Sequence, residues 1–596
     1  MRERRLRLRG RRTGLARIFV IVTLLVASWP AGAGDTPPQA STGPRYEWDE
    51  RVETVLEQLS IEEKIGQMLF LGVDGKEIDE ATAAFLRARR PGGLVLYKRN
   101  IESATQTLRL THAIREQAAD GVPPFVSTDQ EGGPVVRLRL GTTPLPSHMA
   151  LGATFDPDLA RRAGAVVGRD LRRLGFNMNF APVLDVLSNP RNSVIGVRSF
   201  GGSPRCVAAM GVAFIDGLQS QGVSAVAKHF PGHGATETDS HSSLPEVPHD
   251  LTHLLRFELL PFRAATVAGL DGLMTAHIAL PKVTEEAQTA ATVSRKVLTG
   301  VLRQDLAYDG VVVTDGLEMA GIAERHRPGE AAVLAVLAGA DMVMAPWSRA
   351  AREDVHRSLA VAVENRRVSI ARVDQSVRRI LQAKSRRGLF ERKLHDEQAV
   401  LQGTATDDQS VAVEIARRAV TLVRNDGVLP LAKGDGLVAA STKPELLKSL
   451  RGALPGMRAV ALSPRAIRGR PRPHAERLLE LARDASTLIV AVHRDDHRPL
   501  LEDLRELCPR KLRVILVSLR SPYLLSAFPD VNAYICAYSY GEPSQMAVAE
   551  VLLGEREPTG RLPVTLDERY PSGHGLSFRG GLPRPSLLGE APSATR

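Results

Sequence analysis

The feature that most constrains the fold of this chain is an alternation of short apolar runs and longer amphipathic stretches over residues 48–395. Most of the runs are separated by stretches with apolar residues at three- and four-residue spacing, as in 159–174 and 205–219, which predicts helices. The eight apolar runs cover residues 68–73, 93–97, 125–128, 177–184, 223–227, 272–275, 310–314 and 341–345. Eight β/α units predict a closed (β/α)₈ TIM barrel of the α/β class. An open doubly wound sheet is the alternative, but eight units fit closure better.

A smaller second domain is predicted over residues 411–571. A helical pattern at 370–387 closes the first domain, and the charged and polar segment 396–410 is the predicted linker. Predicted strands lie at 420–423, 460–462, 488–492, 514–517 and 533–537, with helices at 475–485 and 545–553 between them. This pattern predicts an α/β sandwich. The Gly-, Pro- and Ser-rich end, 572–596, predicts an irregular tail.

The N-terminus predicts export. Eight arginines and one glutamate in residues 1–33 precede or flank an apolar core at 18–27, and Ala31-Gly32-Ala33 has the small-x-small form of a cleavage site. This combination is typical of a secretory signal peptide cut near Ala33, followed by a turn-rich tether over 34–47. The core is too short for a comfortable membrane span, so no stable span is expected after cleavage. An uncleaved N-terminal anchor is the alternative.

Charge gives little support for a nucleic-acid partner. The net charge is +11, but residues 1–33 carry seven of these charges, which leaves four over the rest of the 596 residues. An excess of four positive charges spread over the rest of the chain does not predict the concentrated basic patch of a nucleic-acid-binding protein. The chain has three cysteines, and an exported protein could pair Cys508 with Cys536 and leave Cys206 free. Three buried thiols are the alternative, and no Cys/His spacing resembles a zinc site.

Ionisable residues follow five of the eight predicted barrel strands. They are Asp129, Asp185, Lys228 with His229, His277 and Asp315. In a (β/α)₈ barrel the carboxyl ends of all strands lie at the same end of the barrel, and active sites are found there. We therefore expect these side chains to form one site. The oligomeric state is not predicted by any feature of the sequence.

Two segments predict covalent hydrolysis of a glycoside. Asp315 ends an apolar strand, and a carboxylate there can attack the anomeric carbon of a sugar and form an ester. His241 can protonate the leaving oxygen and then deprotonate water, since an imidazole titrates near neutral pH. Asp239, two residues earlier, can hold the imidazole in one tautomer. The alternatives are a helix cap for Asp315 and a surface loop with incidental histidines.

Further residues are candidates for binding the sugar ring. Asp129 precedes Gly132-Gly133 and can accept hydrogen bonds from two hydroxyls, while Arg137 can brace it. A tight turn with an internal salt bridge is the alternative for this segment. Lys228, His229 and Arg198 are candidate donors on Gly-rich segments. Asp185 and His277 are expected to position these donors rather than to contact the sugar.

Taken together, these motifs resemble glycoside hydrolase family 3, in particular the β-N-acetylglucosaminidases of the NagZ type. The most specific is the run Lys-His-Phe-Pro-Gly-His-Gly at 228–234 with Asp-Ser-His at 239–241. The other matching stretches are 129–137, 189–201, 273–278, 294–302 and 310–319 in the first domain, and 420–431 and 541–565 in the second. The residue after Asp315 is Gly316, where family 3 β-glucosidases commonly have Trp.

The resemblance implies a role for each candidate residue. Asp315 is the expected nucleophile, His241 the acid/base and Asp239 its partner. Asp129, Arg137, Arg198, Lys228 and His229 are expected to bind the N-acetylglucosamine ring. We thus expect an exported (periplasmic or extracellular), retaining exo-β-N-acetylglucosaminidase of the two-domain form that needs no metal or cofactor.

The expected substrates are peptidoglycan fragments or chitin oligomers. Two other functions stay open from the sequence: a phosphorylase that uses phosphate as acceptor, and a non-catalytic protein that binds cell-wall sugars.

Overall fold

The first domain is a closed barrel of eight parallel strands. The computed structural model describes residues 49–118, 121–237, 239–240, 242–284, 288–391, 406–432 and 436–589. The barrel strands are β1 (Leu69–Gly72), β2 (Gly93–Val95), β3 (Phe125–Thr128), β4 (Met178–Asn179), β5 (Ser224–Phe230), β6 (Gly272–Thr275), β7 (Val311–Gly316) and β8 (Met342–Ala345). They pair in chain order, and β1 pairs with both β2 and β8. The predicted barrel is therefore confirmed and the open sheet is wrong.

Helices connect and surround the barrel strands. The α-helices are Glu50–Gln58, Ile61–Gln67, Glu80–Arg89, Ala104–Glu116, His148–Thr154, Pro157–Arg173, Pro204–Ser220, Leu251–Arg256, Leu260–Val267, Pro281–Thr284, Ala320–Ala323, Pro328–Ala338, Arg349–Glu364 and Ile370–Arg386. Lys296–Asp305 is π-helical, and Lys98–Asn100, Gly196–Arg198 and Ala291–Val293 are 3₁₀ turns. A short hairpin, Gln130–Gly132 with Val135–Val136, follows β3 at the carboxyl end of the barrel.

Local sequence explains where these helices begin. Pro157–Arg173 starts after Asp156, whose carboxylate accepts a hydrogen bond from the amide of Leu159, and Pro157 occupies the first turn, where its missing N–H costs nothing. Ser caps of the same kind precede Ala104–Glu116 and Pro204–Ser220. Each helix buries one apolar face against the strands. The residue at which the helix begins therefore helps to determine which of its side chains face the barrel.

The second domain is built on one mixed sheet. Its strands are β9 (Thr421–Asn425), β10 (Leu437–Ser441), β11 (Arg458–Ala461), β12 (Thr487–Val492), β13 (Arg513–Ser518), β14 (Ala533–Cys536), β15 (Leu576–Ser577) and β16 (Gly580–Gly581). The spatial order is β11-β10-β12-β13-β14-β9-β15-β16. The first five are mutually parallel, and β9 pairs antiparallel to β14 and β15.

Helices cover both faces of this sheet, which confirms the predicted α/β sandwich. They are Thr406–Ala419, Pro444–Ala453, Pro464–Gly469, Pro471–Leu481, Arg498–Leu507 and Glu542–Leu552, with 3₁₀ turns at Asp495–His497, Pro522–Ala527 and Ser586–Leu588. Side chains alternate along the strands: in β12, Leu488 and Val490 belong to a core shared with the barrel, whereas Ile489 belongs to a second core.

Three predictions differ from the structure or lie outside it. The helix Thr406–Ala419 begins inside the predicted linker 396–410, and β15 and β16 lie in the tail predicted to be irregular. These strands are only two residues long, so they have no apolar pattern of their own; β15 forms by pairing with β9, and β16 by pairing with β15. The predicted signal peptide, residues 1–33, and tether, 34–47, lie outside the described residues.

The described residues also answer the questions on cysteines and membrane spans. Cys206, Cys508 and Cys536 are all free thiols, so the predicted alternative of a Cys508–Cys536 disulfide is not present. Within the described part of the chain, no helix combines the length and the apolar character that crossing a bilayer requires.

The two domains contact each other through backbone groups as well as side chains. Gly202 N donates to Pro563 O at 2.9 Å, and Arg561 N donates to Ala153 O at 3.0 Å. Ser147 Oγ donates to Tyr538 O at 2.7 Å. The second domain is thereby held beside the carboxyl ends of the barrel strands.

Candidate active site

A cavity of about 640 Å³ lies at the carboxyl ends of the barrel strands. Its size is within the range of small-molecule sites. Side chains at or after the carboxyl ends of seven barrel strands, β2 to β8, line it, and Arg520, which follows β13 of the second domain, lines it as well. The ionisable residues that line it are Lys98, Arg99, Asp129, Glu131, Arg137, Arg198, Lys228, His229, His233, Asp239, Asp315 and Arg520, with Tyr97.

Asp315 is half-buried in the wall of this cavity. It ends β7, and its Oδ1 accepts a hydrogen bond from Gly316 N at 2.7 Å. The buried His277 ring lies behind it, with Nε2 3.0 Å from Gly316 O and Nδ1 2.8 Å from Thr292 Oγ1. His277 therefore contacts the backbone beside the predicted nucleophile rather than the cavity.

A buried network joins the predicted sugar-binding residues. Lys228 Nζ lies 2.8 Å from Asp129 Oδ1 and 2.7 Å from Glu131 Oε1. Arg137 Nη2 donates to Asp129 Oδ2 at 3.2 Å. Arg198 donates to both oxygens of Glu131, at 2.8 and 2.9 Å. The structure thus brings together Asp129, Arg137, Arg198 and Lys228, which are far apart in the sequence.

The buried acids and bases of this network keep one another charged. Burial raises the pKa of the Asp129 and Glu131 carboxyls, but the neighbouring cations lower it further, so both pKa values end below the ordinary range. Burial likewise lowers the pKa of Lys228, and the two carboxylates raise it above its ordinary value. All three groups are therefore charged at neutral pH, and the network presents fixed donors and acceptors to the cavity.

His229 is oriented by Asp185. Its Nδ1 lies 2.7 Å from Asp185 Oδ2, while Asp185 Oδ1 also accepts from His233 N at 2.6 Å. Asp185 is completely buried, so its charge is available only to these neighbours. The contact leaves His229 Nε2 on the cavity side, 3.5 Å from Arg198 Nη2.

The segment predicted to hold the acid/base group approaches the same cavity. Asp239 and Ser240 line it. Ser240 O accepts a hydrogen bond at 3.0 Å from the backbone N of Gly321, which lies in the short helix after β7. Ser240 Oγ lies 3.2 Å from His233 Nε2, which ties the two ends of the loop together. His241 itself lies outside the described residues, so its role stays a prediction.

Several residues of the cavity were not predicted from the sequence, among them Lys98, Arg99, Glu131, Tyr97, Trp347 and Arg520. Glu131 lies only two positions after Asp129, and Tyr97 and Trp347 each follow a barrel strand by two residues. Because barrel sites lie at the carboxyl ends of strands, Glu131, Tyr97 and Trp347 could have been predicted from their positions after β3, β2 and β8. No sequence signal indicates Arg520, because only the packing of the second domain brings it to the barrel.

Positive charge predominates around the cavity. Its lining contains six lysines and arginines against four carboxylates. Arg137, Arg198 and Lys228 are paired with carboxylates. The exposed Lys98 and Arg99 and the half-buried Arg520 form no ion pair with any carboxylate that the structure describes. These three cations can attract an anionic group at the solvent side of the cavity.

Known proteins match both domains of the chain. Residues 60–383 match the N-terminal domain of glycosyl hydrolase family 3, and residues 420–577 match the C-terminal domain of the same family. The chain belongs to glycosyl hydrolase family 3. The family resemblance predicted from the motifs is therefore confirmed, as is the two-domain form.

Two similar proteins are named beta-hexosaminidases. Beta-hexosaminidase A of Pseudoalteromonas piscicida is 32% identical over 540 residues, which cover 80% of this chain and 89% of the relative. A beta-hexosaminidase of Pseudomonas aeruginosa (strain LESB58) is 39% identical over 290 residues, which cover 48% of this chain and 84% of that protein.

A solved family 3 structure extends the similarity to the fold. The family 3 beta-N-acetylglucosaminidase from Paenibacillus sp. str. FPU-7 superposes with a TM-score of 0.79 and 35% sequence identity, covering 85% of this chain and 99% of that one. The arrangement of a barrel followed by a sandwich is thus common to both proteins, and this chain is a glycoside hydrolase.

Proposed function

We propose that this family 3 enzyme is an exported, retaining exo-β-N-acetylglucosaminidase. The observation that carries the proposal is the half-buried Asp315 facing the charged network of Asp129, Lys228 and Arg198 within one cavity. The names of the relatives, which are hexosaminidases and a β-N-acetylglucosaminidase, favour the same activity. The substrate is a carbohydrate with a terminal β-linked N-acetylglucosamine.

The proposed reaction has two displacements. In the first, an Asp315 oxygen attacks the anomeric carbon, the glycosidic bond breaks, and His241 gives its proton to the leaving oxygen. In the second, His241 takes a proton from water, the water oxygen attacks the same carbon, and the ester to Asp315 breaks. Asp239 holds the imidazole of His241 in the required tautomer. Two inversions give net retention of configuration.

The buried network binds the sugar in this proposal. Asp129 and Glu131 are held by cations, so their remaining lone pairs can accept from ring hydroxyls without a change in protonation. Arg137, Arg198, Lys228 and His229 donate to hydroxyls or to the N-acetyl oxygen. Because these groups are fixed before the sugar arrives, little reorganisation is needed in the transition state.

The leaving group is proposed to be a peptidoglycan fragment rather than a neutral chitin oligomer. Lys98, Arg99 and Arg520 lie at the solvent side of the cavity without carboxylate partners among the described residues. A muramic acid carries a carboxylate on its lactyl group, which such cations attract, whereas chitobiose carries no charge. The signal peptide predicted at residues 1–33 would place the enzyme in the periplasm or outside the cell, where these fragments occur.

Hydrolysis of p-nitrophenyl-β-N-acetylglucosaminide tests the reaction. Asp315→Ala should reduce kcat by at least about a thousandfold, and azide should restore turnover by forming a glycosyl azide of inverted configuration. Asp305→Ala, at an exposed position before β7, is the matched control and should retain full activity. Wild-type rates in the Asp315→Ala variant would contradict the nucleophile. A glycosyl phosphate formed in phosphate buffer would make the enzyme a phosphorylase instead.

A second comparison tests the leaving group. Wild-type kcat/KM should be higher for a GlcNAc-β-1,4-MurNAc fragment than for chitobiose, and Arg520→Gln should lower it about tenfold for the charged substrate only. Arg510→Gln, an exposed arginine before β13 at the other end of the same sheet, should change neither value. Equal losses on both substrates would contradict recognition of a carboxylate by Arg520.

A further inference from the structure

We propose that His249, His253 and Glu258 form a binding site for one divalent transition-metal ion of the zinc type. The site is separate from the catalytic cavity, and the proposal does not depend on the proposed function. One ligand atom from each residue lies within 4.8 Å of the other two. His249 Nε2 is 3.8 Å from Glu258 Oε1, and His253 Nε2 is 3.6 Å from Glu258 Oε2.

The Glu258 carboxylate indicates that something is bound between these side chains. Glu258 is fully buried, and neither of its carboxylate oxygens has a hydrogen-bond partner in the described part of the chain. Buried carboxylates in proteins are almost always hydrogen-bonded, paired or bound to a metal. The imidazole nitrogens at 3.6 and 3.8 Å are too far for hydrogen bonds but face both oxygens. A cation between them would compensate the carboxylate.

The two imidazoles are arranged to bind the same ion. Their rings stack with centroids 4.0 Å apart and planes 20° from parallel, and each directs Nε2 towards Glu258. His249 and His253 are four residues apart, around the Asp250 cap that starts the helix Leu251–Arg256, so one short element presents both rings. His253 is exposed and His249 half-buried, which gives an ion access from solvent.

The ligand set selects the type of metal. Two imidazole nitrogens and one carboxylate oxygen are a common zinc set, with water as the fourth ligand. Calcium and magnesium prefer oxygen ligands alone, so two imidazoles disfavour them. Ligands about 2.0–2.2 Å from a tetrahedral ion are about 3.3–3.5 Å apart. The imidazole–carboxylate separations of 3.6 and 3.8 Å, each to a different oxygen of Glu258, are a few tenths of an ångström longer. One ligand atom from each residue lies within 4.8 Å of the other two, so these atoms must approach one another by at most about 1.5 Å.

The position of Glu258 gives such a site a structural role. A Cβ added to Gly232 would lie 2.9 Å from Glu258 Cβ, so Glu258 packs directly against the loop that follows β5. The neighbouring His233 and the later residues Asp239 and Ser240 line the catalytic cavity. A bound ion would fix Glu258 relative to the helix Leu251–Arg256, and with it the surface that packs against this loop.

Sequence spacing alone does not indicate this site. No Cys/His spacing in the sequence resembles a zinc site, and the third ligand here is a glutamate that follows the end of the helix Leu251–Arg256. Only the burial of Glu258 and the direction of its oxygens distinguish it from ordinary surface carboxylates.

Zinc titration of the full chain tests the proposal. Tag-free protein, stripped with EDTA and dialysed into metal-free buffer, should bind one zinc ion per chain in calorimetry, with Kd in the micromolar range or below, and should gain in Tm. Glu258→Gln and His253→Ala should each weaken binding at least tenfold. His474→Ala, on the helix Pro471–Leu481, is the control and should bind as the wild type does. Calcium should not bind.

Two results would overturn the proposal. One is a wild-type chain that takes up no zinc, and the other is zinc uptake that is equal in all three variants. His253 is exposed, so His253→Ala keeps the test decisive if Glu258→Gln does not fold.

Discussion

The indole of Trp347, after β8, lies against Gly316, the residue that follows Asp315 on β7. A Cβ added to Gly316 would be 2.8 Å from Trp347 Cη2 and 3.0 Å from Cζ3. Trp347 N in turn donates to Glu318 Oε2 at 2.8 Å, which ties the segment after β8 to that after β7. Trp347 thus presents an indole to the wall of the cavity close to Asp315, from the segment after the neighbouring strand.

Gly316→Ala should displace this indole. The added methyl group enters the space of Trp347, so we expect a fall of about tenfold or more in kcat/KM for p-nitrophenyl-β-N-acetylglucosaminide, measured by release of nitrophenol. Gly300→Ala, where a Cβ would meet nothing within 4 Å, should have no effect. In a Trp347→Ala background the Gly316→Ala change should become nearly neutral, because the clash is gone. Full additivity of the two losses would contradict the proposed contact.

Glu131→Gln should show that Glu131 is an essential part of the buried network. The change removes the charge that compensates Arg198 and Lys228, and breaking a buried ion pair costs about 3–5 kcal/mol. Urea unfolding measures this loss, and kcat/KM should fall by at least about a hundredfold because the two cations that we propose bind the sugar lose their position. Glu330→Gln removes a solvent-exposed pairing with Arg367 and should cost less than about 1 kcal/mol. Equal costs for the two variants would contradict the role of burial.

Acid should destabilise the protein in part through His233. Burial lowers the pKa of His233 to about 4, although Asp185 opposes the shift. The unfolded chain, with a His pKa of about 6.5, binds the proton more readily, so this contribution to stability is complete above pH 6.5 and is lost as the pH falls towards 4. At pH 5 the loss should be about 2 kcal/mol.

Urea unfolding at pH 7.5 and pH 5 measures this dependence. His233→Gln should be less sensitive to pH than the wild type by about the same 2 kcal/mol. His474→Gln, in the second domain, serves as the control and should keep the wild-type difference. A His233→Gln variant with an unchanged pH dependence would show that another group is responsible.

Gly201→Ala should loosen the contact between the domains. A Cβ at this position would lie 2.4 Å from Pro563 O, and the backbone φ of +154° is one that glycine adopts more readily than alanine. We expect a loss of about 1–3 kcal/mol in unfolding free energy, as for other overpacked contacts. Limited proteolysis should become faster. Gly452→Ala, at a helical position where a Cβ would meet nothing within 4 Å, should not show either change.

Much of the fold followed from periodicity. All eight barrel strands lie within the predicted runs or extend them by a few residues, and five strands of the second sheet were predicted in the same way. β10 was missed because Leu437–Ser441 contains two alanines and has a weak apolar signal, while β15 exists only through pairing with β9 and β16 only through pairing with β15. A local apolar pattern indicates whether a segment can form a buried strand, but it does not indicate which other strand the segment pairs with.

The site was likewise predictable only in part. The barrel rule predicted that Asp129, Lys228, His229 and Asp315 would meet, because strand ends converge whatever the details of packing. Which charges pair was not predictable, and Glu131, held between Lys228 and Arg198, was overlooked. Ion pairs form between side chains that are distant in sequence, so their partners appear only in three dimensions.

By itself, the sequence determined the class of fold, the family and the chemical groups available to the site, because each depends on local apolar periodicity and on the residue types that end the strands. The tertiary structure alone decided that Arg520 of the second domain joins the cavity at the carboxyl ends of the barrel strands, that Trp347 lies beside Gly316, and that Glu258 is buried facing two imidazoles. These relationships arise from the packing of separate elements, and burial and distance between such elements are not properties of any one stretch of the chain.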